Sequence, residues 1–192
     1  MTRKLSVFSV IVGLLLPVGT LQAGSASTTV LFSAFFYGGS CEVTVPPTVT
    51  YNSGAPLSYD AIPNDKQNSQ FALTLSGCQG YFLTPRIAVK GNTFTADNNE
   101  QLYADASSTT KGYGVRLSTP GNTVFNANEN IAKSGNGIIT IKTWPSGGTN
   151  NVARLNSTLN FNAVLACGTC TAGDNLQNGE LTATVTFSFL YD

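Results

Sequence analysis

The chain has 192 residues with ten Lys and Arg, ten Asp and Glu and no histidine, so its formal net charge at pH 7 is zero. This balance provides no basic surface for nucleic acid. The lack of histidine excludes Ser–His and Cys–His nucleophiles and removes the commonest zinc ligand. Only 10% of the residues are charged, while 42% are hydrophobic and 19 are glycine. This composition is typical of a folded, turn-rich, extracellular all-β protein.

The first 23 residues have the pattern of a secretory signal peptide. Arg3 and Lys4 precede the apolar run LSVFSVIVGLLLPVG, which is shorter than a bilayer-spanning helix, and the run is followed by LQA at 21–23. We predict cleavage after Ala23, with Ala26 as the second choice, and export of one domain of about 169 residues. A retained anchoring helix is the less favoured alternative.

The next segment, TTVLFSAFFYGGSC at 28–41, has the period of a β-strand with apolar residues on both faces. One face carries Thr28, Val30, Phe32, Ala34 and Phe36, and the other carries Leu31, Ser33, Phe35 and Tyr37. After removal of the leader, the exported protein would begin with this strand, and a strand this apolar needs a partner that covers it.

Strand patterns recur between turn signals along the rest of the chain. They are CEVTVPPTVTY at 41–51, SQFALTLSGC at 69–78, TPRIAVKG at 84–91, GYGVRLSTPGN at 112–122, GIITIKTWP at 137–145, STLNFNAVLAC at 157–167 and GELTATVTFSFLYD at 179–192. The two prolines of the first segment suit an edge strand or a change of sheet. The polar stretch 92–112 predicts a loop with a short strand or helical turn. Roughly seven strands in one domain indicate a β-sandwich of immunoglobulin-like size.

The last of these segments has the most regular alternation. One face carries Leu181, Ala183, Val185, Phe187, Phe189 and Tyr191, and the other carries Thr182, Thr184, Thr186 and Ser188. We expect the apolar face to enter a core and the hydroxyl face to meet solvent or a neighbouring sheet.

The four cysteines of an exported chain predict disulfides, and three pairings exist. We favour Cys41 with Cys78 and Cys167 with Cys170. The second pair forms CGTC, but it follows a strand and precedes a Gly/Asn-rich loop instead of opening a helix. A structural staple of that loop is therefore favoured over a thioredoxin-like redox site.

No constellation of residues predicts a catalytic, cofactor or metal site, and we expect the protein not to be an enzyme. The acids stand in polar loops without paired spacing: Asp60, Asp65, Asp97, Glu100, Asp105, Glu129 and Asp174. Asp97 and Glu100 lack the regular ligand spacing of a calcium loop. For Trp144, a position in the core or at a strand end is favoured over a sugar-binding platform.

The whole chain after residue 23 resembles the pilins of the chaperone–usher family, the subunits of fimbriae on Gram-negative bacteria. That family has a glycine fourteen residues from the C-terminus and a penultimate tyrosine, and Gly179 and Tyr191 stand at those places. Its first cysteine is bonded to one at the end of the second strand, as Cys41 and Cys78 would be. GYGVRLSTPGNT and LNFNAVLA are similar to interior strands of these pilins.

The resemblance implies an incomplete immunoglobulin-like β-sandwich of six strands that lacks the seventh and is completed by donor-strand exchange. It divides the chain into a signal peptide at 1–23, a donor extension at 24–40 and a pilin domain at 41–192. The residues that it implies for donation are Thr28, Val30, Phe32, Ala34 and Phe36. Those implied for the accepting strand are Gly179, Leu181, Ala183, Val185, Phe187, Phe189, Tyr191 and Asp192.

The partners that the resemblance implies are a periplasmic pilus chaperone, which would hold the carboxylate of Asp192, an outer-membrane usher and neighbouring subunits. Family members usually have glycine where Ala34 stands. The expected location is a cell-surface fimbrium, with no cofactor and with a host glycan or receptor as a further candidate partner. The alternatives are a polymeric adhesin and a freestanding secreted carbohydrate-binding module whose N-terminal strand pairs in cis.

Overall fold

The computed structural model describes residues 31–34, 39–63, 66–80, 84–144, 152–173 and 175–191. The chain forms two compact units, Met1–Phe35 and Phe36–Asp192. The predicted signal peptide and most of the predicted donor segment lie outside the described residues. In the first unit only residues 31–34 are described, and there the side chains of Leu31 and Phe32 are 90% and 89% exposed.

The second unit is an all-β domain of two antiparallel sheets, and its described part has nine strands and three short 3-10 turns. The strands are β1 Gly39–Thr44, β2 Asn68–Gly80, β3 Pro85–Gly91, β4 Thr93–Thr95, β5 Gln101–Tyr103, β6 Gly114–Ser118, β7 Ile138–Thr140, β8 Ser157–Ala166 and β9 Val185–Tyr191. The turns are Asn52–Gly54, Tyr59–Ala61 and Val152–Leu155. The larger sheet has the order β1-β2-β8-β6-β5-β4, and the smaller sheet has the order β7-β3-β9.

Both sheets contribute to one main hydrophobic core, which places them in a sandwich arrangement. In the large sheet β2 and β8 pair so that Phe71 lies opposite Phe161 and Leu73 lies opposite Leu159. From the small sheet, Ile87 and Val89 are buried in the same core. The alternation of apolar residues in these segments therefore predicted the buried face of each strand correctly.

Phe161 lies at the centre of an aromatic cluster that joins the two sheets. Its ring stacks on Phe71 at a centroid distance of 5.3 Å and meets the edge of Phe187, on β9, at 5.1 Å. Such pairs add to the free energy of area burial, so this cluster ties β2, β8 and β9 together.

Three segments differ from the sequence-based expectation, and the strand count is nine in the described residues, not about seven. The strand expected over 41–51 ends at Thr44, because Pro46 and Pro47 have no N–H groups with which to continue a ladder. The polar stretch 92–112 contains the hairpin of β4 and β5. The strand expected to begin at Leu181 begins instead at Val185.

The structure contains the two predicted disulfides, Cys41–Cys78 and Cys167–Cys170. The first joins β1 to its neighbour β2 and closes a sequence separation of 37 residues. A native disulfide over a loop of this length contributes about 2–4 kcal/mol, mainly by restricting the unfolded chain. It fixes the position of β1, an edge strand of the large sheet.

Replacing Phe161 with Ala is expected to lower the free energy of unfolding by about 3–5 kcal/mol, because the side chain is fully buried and its removal leaves a cavity beside the rings of Phe71 and Phe187. Urea unfolding followed by fluorescence measures this loss. Thr186→Ala, on the exposed face of β9, is the control and should change stability by less than about 0.5 kcal/mol. A loss below about 1 kcal/mol for Phe161→Ala would contradict the placement of this ring.

Candidate functional site

The two sheets of the second unit leave a groove between one edge of each. Among the described strands, β9 pairs only with β3, and β1 pairs only with β2. The groove between these edges has a volume of about 1100 Å³ and runs along residues 45–51 on one side and 178–187 on the other. One backbone edge of β9 therefore faces the groove without a strand partner in the described part of the chain.

The floor of the groove is the core face of the large sheet. It is formed by Phe71 of β2, Val115 and Leu117 of β6, and Ala163 and Leu165 of β8. These are the inward-facing residues of their strands, and all are apolar. An occupant of the groove would therefore reach the hydrophobic core directly, and burial of apolar side chains there would be favourable.

The first wall of the groove carries the apolar face of the last segment. Ala183, Val185, Phe187 and Phe189 pack against the main core but remain only partly buried. Thr182, Thr184 and Thr186 lie on the opposite, exposed face. The predicted alternation therefore holds. The apolar face is only partly buried because the groove beside it is open.

Residues 175–184, which we call the strap, precede β9 and hydrogen-bond to the loop 105–111 instead of to β3. The backbone N–H of Asp105 donates to Thr182 O at 2.8 Å, and that of Thr109 donates to Glu180 O at 2.9 Å. Gly179 lies so close to Thr109 that an added Cβ would stand 2.6 Å from the threonine hydroxyl oxygen. A side chain at this position would push the strap off its loop.

Asp105 attaches the end of the strap through its carboxylate. Thr184 donates its backbone N–H to Oδ1 at 3.0 Å and its hydroxyl to Oδ2 at 2.6 Å. These two hydrogen bonds hold the pKa of Asp105 below its ordinary value of 3.8, because they stabilise the ionised form. The hydrogen bonds therefore hold the strap on its outer side, and its inner side borders the groove.

The second wall is an extended segment that ends at Tyr51. Residues 45–50 continue from β1 without strand pairing and include Pro46 and Pro47, and Tyr51 then precedes a left-handed turn at 52–54. Because proline lacks an N–H group, this wall offers fewer backbone donors to an occupant than β9 does.

Three tyrosines, Tyr51, Tyr59 and Tyr113, surround one end of the groove together with Thr110. The Tyr51 hydroxyl and Thr110 Oγ1 are buried and have no hydrogen-bond partner within the described part of the chain. Burial raises the pKa of Tyr51, and burial with the neighbouring Tyr59 raises that of Tyr113, so the rings of Tyr51 and Tyr113 are neutral at pH 7. This end of the groove combines an apolar surface with polar atoms that an occupant could satisfy.

The second disulfide lies beside the tyrosine end of the groove. Cys167 directly follows β8 and is buried in a small cluster with Tyr113 and Leu165, against which Leu181 of the strap packs. Asp97, in the β4–β5 turn, accepts hydrogen bonds from the backbone N–H and the hydroxyl of Thr169. CGTC therefore forms a tight turn that is held by its disulfide and by the carboxylate of Asp97. This geometry agrees with the predicted structural staple.

The structure brings the predicted accepting residues Leu181, Ala183, Val185 and Phe187 to the groove. Gly179 also borders it, whereas Asp192 lies outside the described residues. Of the predicted donor residues, Phe32 and Ala34 are described and exposed, while Thr28, Val30 and Phe36 lie outside the described residues. Sequence reasoning did not identify Tyr51, Thr110 or Asp105, although the position of Asp105 in a polar loop between strands was noted.

Trp144 and seven loop acids are the candidates for other chemistry. Trp144 packs against the main core. In the described ranges, no three Asp, Glu, His or Cys side chains come close enough together to hold a metal ion, and no helix there is long and apolar enough to cross a bilayer. Asp65 and Asp174 lie outside these ranges. Comparison of the chain with protein-family models and with curated proteins finds no match.

The strap is expected to weaken at acidic pH. Because the folded-state pKa values of Asp97 and Asp105 are lowered, their carboxylates stabilise the fold fully above the ordinary value of 3.8, and this contribution is lost as the pH falls through the lowered values. A double-mutant cycle of Asp105→Asn and Thr184→Val, measured by urea unfolding, should show coupling at pH 7 and a smaller coupling at about pH 3.

Equal coupling energies at the two pH values would contradict this account of the strap. The single variant Thr186→Val, on the same exposed face of β9 but without a carboxylate partner in the described residues, is the control. It should respond to pH in the same way as the unaltered protein.

Proposed function

We propose that this protein is a structural subunit of a chaperone–usher fimbria, which polymerises by donor-strand exchange and serves cell adhesion. The observation that supports this most strongly is the groove, because it combines an unpaired edge of β9 with an apolar floor that opens into the core. An extended segment that enters it would gain backbone hydrogen bonds from β9 and pockets for alternate side chains. The domain would then be an immunoglobulin-like sandwich that lacks its last strand.

The proposed occupant is the N-terminal segment of a second copy of the chain. In this register Thr28, Val30, Phe32, Ala34 and Phe36 face the groove. Burial of one valine and two phenylalanine side chains contributes about 1.5–3 kcal/mol each, or roughly 5–9 kcal/mol in all before backbone pairing. This gain is intermolecular, which is what a polymer requires. Ala34 stands where relatives of this type usually have glycine, so the groove must accept one methyl group more.

The proposal requires further partners for a physical reason. Before assembly, an open apolar groove and a free strand edge would expose the subunit to aggregation, so a periplasmic chaperone must cover the groove. An outer-membrane usher would then exchange the chaperone strand for the segment of the next subunit. The two disulfides agree with passage through an oxidising compartment.

Two alternatives make different predictions about the N-terminal segment. A freestanding carbohydrate-binding module would pair this segment with its own groove and would remain a monomer. A polymeric adhesin would assemble in the proposed way and would also bind a receptor through the shaft.

Assembly is expected to depend on one face of the donor segment. The variant with Phe32→Asp and Phe36→Asp should leave the chaperone-bound subunit unable to form fibres, because two carboxylates cannot enter an apolar groove. The matched control is Leu31→Asp with Phe35→Asp, which places the same charges on the opposite face of the same segment. The measurement is the fibre yield after export with the chaperone and usher.

A synthetic peptide of residues 27–37 distinguishes a variant that cannot donate its strand from a variant that does not fold. The chain that carries Phe32→Asp and Phe36→Asp keeps its groove, so the added peptide should bind it and raise its thermal midpoint. Fibre formation by this variant at the yield of the unaltered chain would overturn the proposed register. Loss of fibres in both paired variants, without stabilisation by the peptide, would count against donation by this segment.

A further inference from the structure

The strap contains a two-residue segment at 178–179, which we call the bridge, that makes no hydrogen bond to another described residue. On its N-terminal side, Gln177 and Lys111 exchange two backbone hydrogen bonds of 3.0 and 3.1 Å. On its C-terminal side, Glu180 donates its N–H to Thr109 Oγ1 at 2.8 Å, and its carbonyl oxygen accepts from the Thr109 N–H at 2.9 Å. The bridge is therefore a short span whose two ends are fixed to the same loop.

The two residues of the bridge are Asn178 and Gly179, and both are exposed and lie outside the strands. Neither the side-chain amide of Asn178 nor the backbone N–H of Gly179 is hydrogen-bonded within the described part of the chain. Glycine leaves its backbone nitrogen unshielded because it has no Cβ. The bridge thus places an electrophilic amide carbon beside a nucleophilic nitrogen, and neither group is engaged by another described residue.

A second Asn–Gly pair, Asn136 and Gly137, differs from the bridge in its hydrogen bonds. Asn136 donates its backbone N–H to Lys133 O at 2.8 Å, and its carbonyl oxygen accepts from Asn128 Nδ2 at 2.9 Å. Its side-chain Nδ2 donates to Asn130 O at 3.4 Å. Attack on this side chain would first require that these bonds break, so the fold protects the same dipeptide here.

We propose that Asn178 is a site of spontaneous deamidation, whose isoaspartate product detaches the strap from loop 105–111. The backbone nitrogen of Gly179 loses its proton to solvent and attacks Cγ of Asn178. The new N–Cγ bond closes a succinimide ring, and the Cγ–Nδ2 bond breaks with release of ammonia. Water then opens the ring at either carbonyl and gives aspartate or isoaspartate, so the overall reaction consumes water and releases ammonia.

The isoaspartate product lengthens the bridge. Its main chain runs through the side-chain carbons and contains one more methylene group, which adds about 1.5 Å to the span. This length cannot fold toward the loop, because Gly179 already lies against Thr109. The chain therefore turns outward and breaks the adjoining bonds of Glu180.

The detached part of the strap belongs to the groove. Leu181 and Ala183 follow the bridge and line the first wall, so their position changes when the bonds of Glu180 are lost. Because the reaction is irreversible in the absence of repair, the wall is lost with time and not with a change of conditions. The reaction needs no occupant of the groove, so the proposal does not rest on the proposed function.

Ageing of the full chain at neutral pH and physiological temperature, followed by peptide mapping with mass spectrometry, tests the site. The measurement is the rate at which OH replaces the amide NH₂ at Asn178 and at Asn136. Asn178 should react at least about tenfold faster, because Asn136 must first give up its hydrogen bonds. In urea the two rates should become similar, since both residues precede glycine. A rate at Asn178 that does not exceed that at Asn136 in the folded chain, or a difference that persists in urea, would overturn the proposal.

Hydrogen exchange at the Thr109 and Glu180 amides tests the consequence for the strap. In the aged chain both amides should exchange at least about tenfold faster, while the amides of β2 stay protected. The freshly purified variant Asn178→Asp is the matched control, because it has the new carboxylate without the added methylene group and should keep the protection. The aged variant Asn178→Gln should also keep it, since its longer side chain closes the ring poorly. Full protection in an aged chain that contains isoaspartate, or equal loss in fresh Asn178→Asp, would overturn the assignment.

Discussion

One edge of β9 has no strand partner among the described residues, and this edge is the constraint on which the rest of the domain depends. A strand that pairs with β3 on one side only must leave backbone donors and acceptors exposed on the other side, and here that side borders the core. Burial without partners would cost free energy at each of these groups, and exposure leaves apolar side chains in contact with water. In the proposed function, both costs disappear when an extended chain enters the groove.

Two kinds of interaction keep this edge available. The aromatic cluster of Phe71, Phe161 and Phe187 holds β9 against the core from below. The bonds of the strap to loop 105–111, with Asp105 at its end, hold the preceding residues from the outside. The first is apolar and insensitive to pH, whereas the second depends on an ionised carboxylate. Within the described part of the chain, the groove is thus maintained by attachments on its far side.

Much of the fold followed from the period of apolar residues. The buried faces of β2, β3, β8 and β9 could be assigned because apolar residues at every second position of a strand all point to the same face, which is the face that packs on the core. The buried face of the β4–β5 hairpin could not be assigned, because its strands are only three residues long and show too little alternation to read. The strap could not be predicted either, since its partner is a loop more than 70 residues away and its bonds use Thr, Ser and Asp side chains.

The candidate sites divide in the same way. The accepting face of the last segment was visible in the sequence as Ala183, Val185 and Phe187. The tyrosine end of the groove was not, because Tyr51 and Thr110 come from segments without regular period, and only the tertiary fold brings them to one place. The pairing of Ser118 with Asn162 was not visible either, because the register of two strands that lie far apart in the chain cannot be read from either strand alone.

The four strand edges in the described part of the domain are unequal, and in the proposed function this sets how many partners one copy can bind by strand addition. The edges at β4 and β7 are three residues long, and the edge at β1 is interrupted by a bulge between Ser40 and Glu42 and then by two prolines. Among the edges formed by described residues, that of β9 alone presents seven regular residues. A molecule with a single competent edge has an acceptor valency of one. If each copy also donates one strand, growth can neither branch nor spread sideways, and the product is an unbranched filament whose two ends are chemically different.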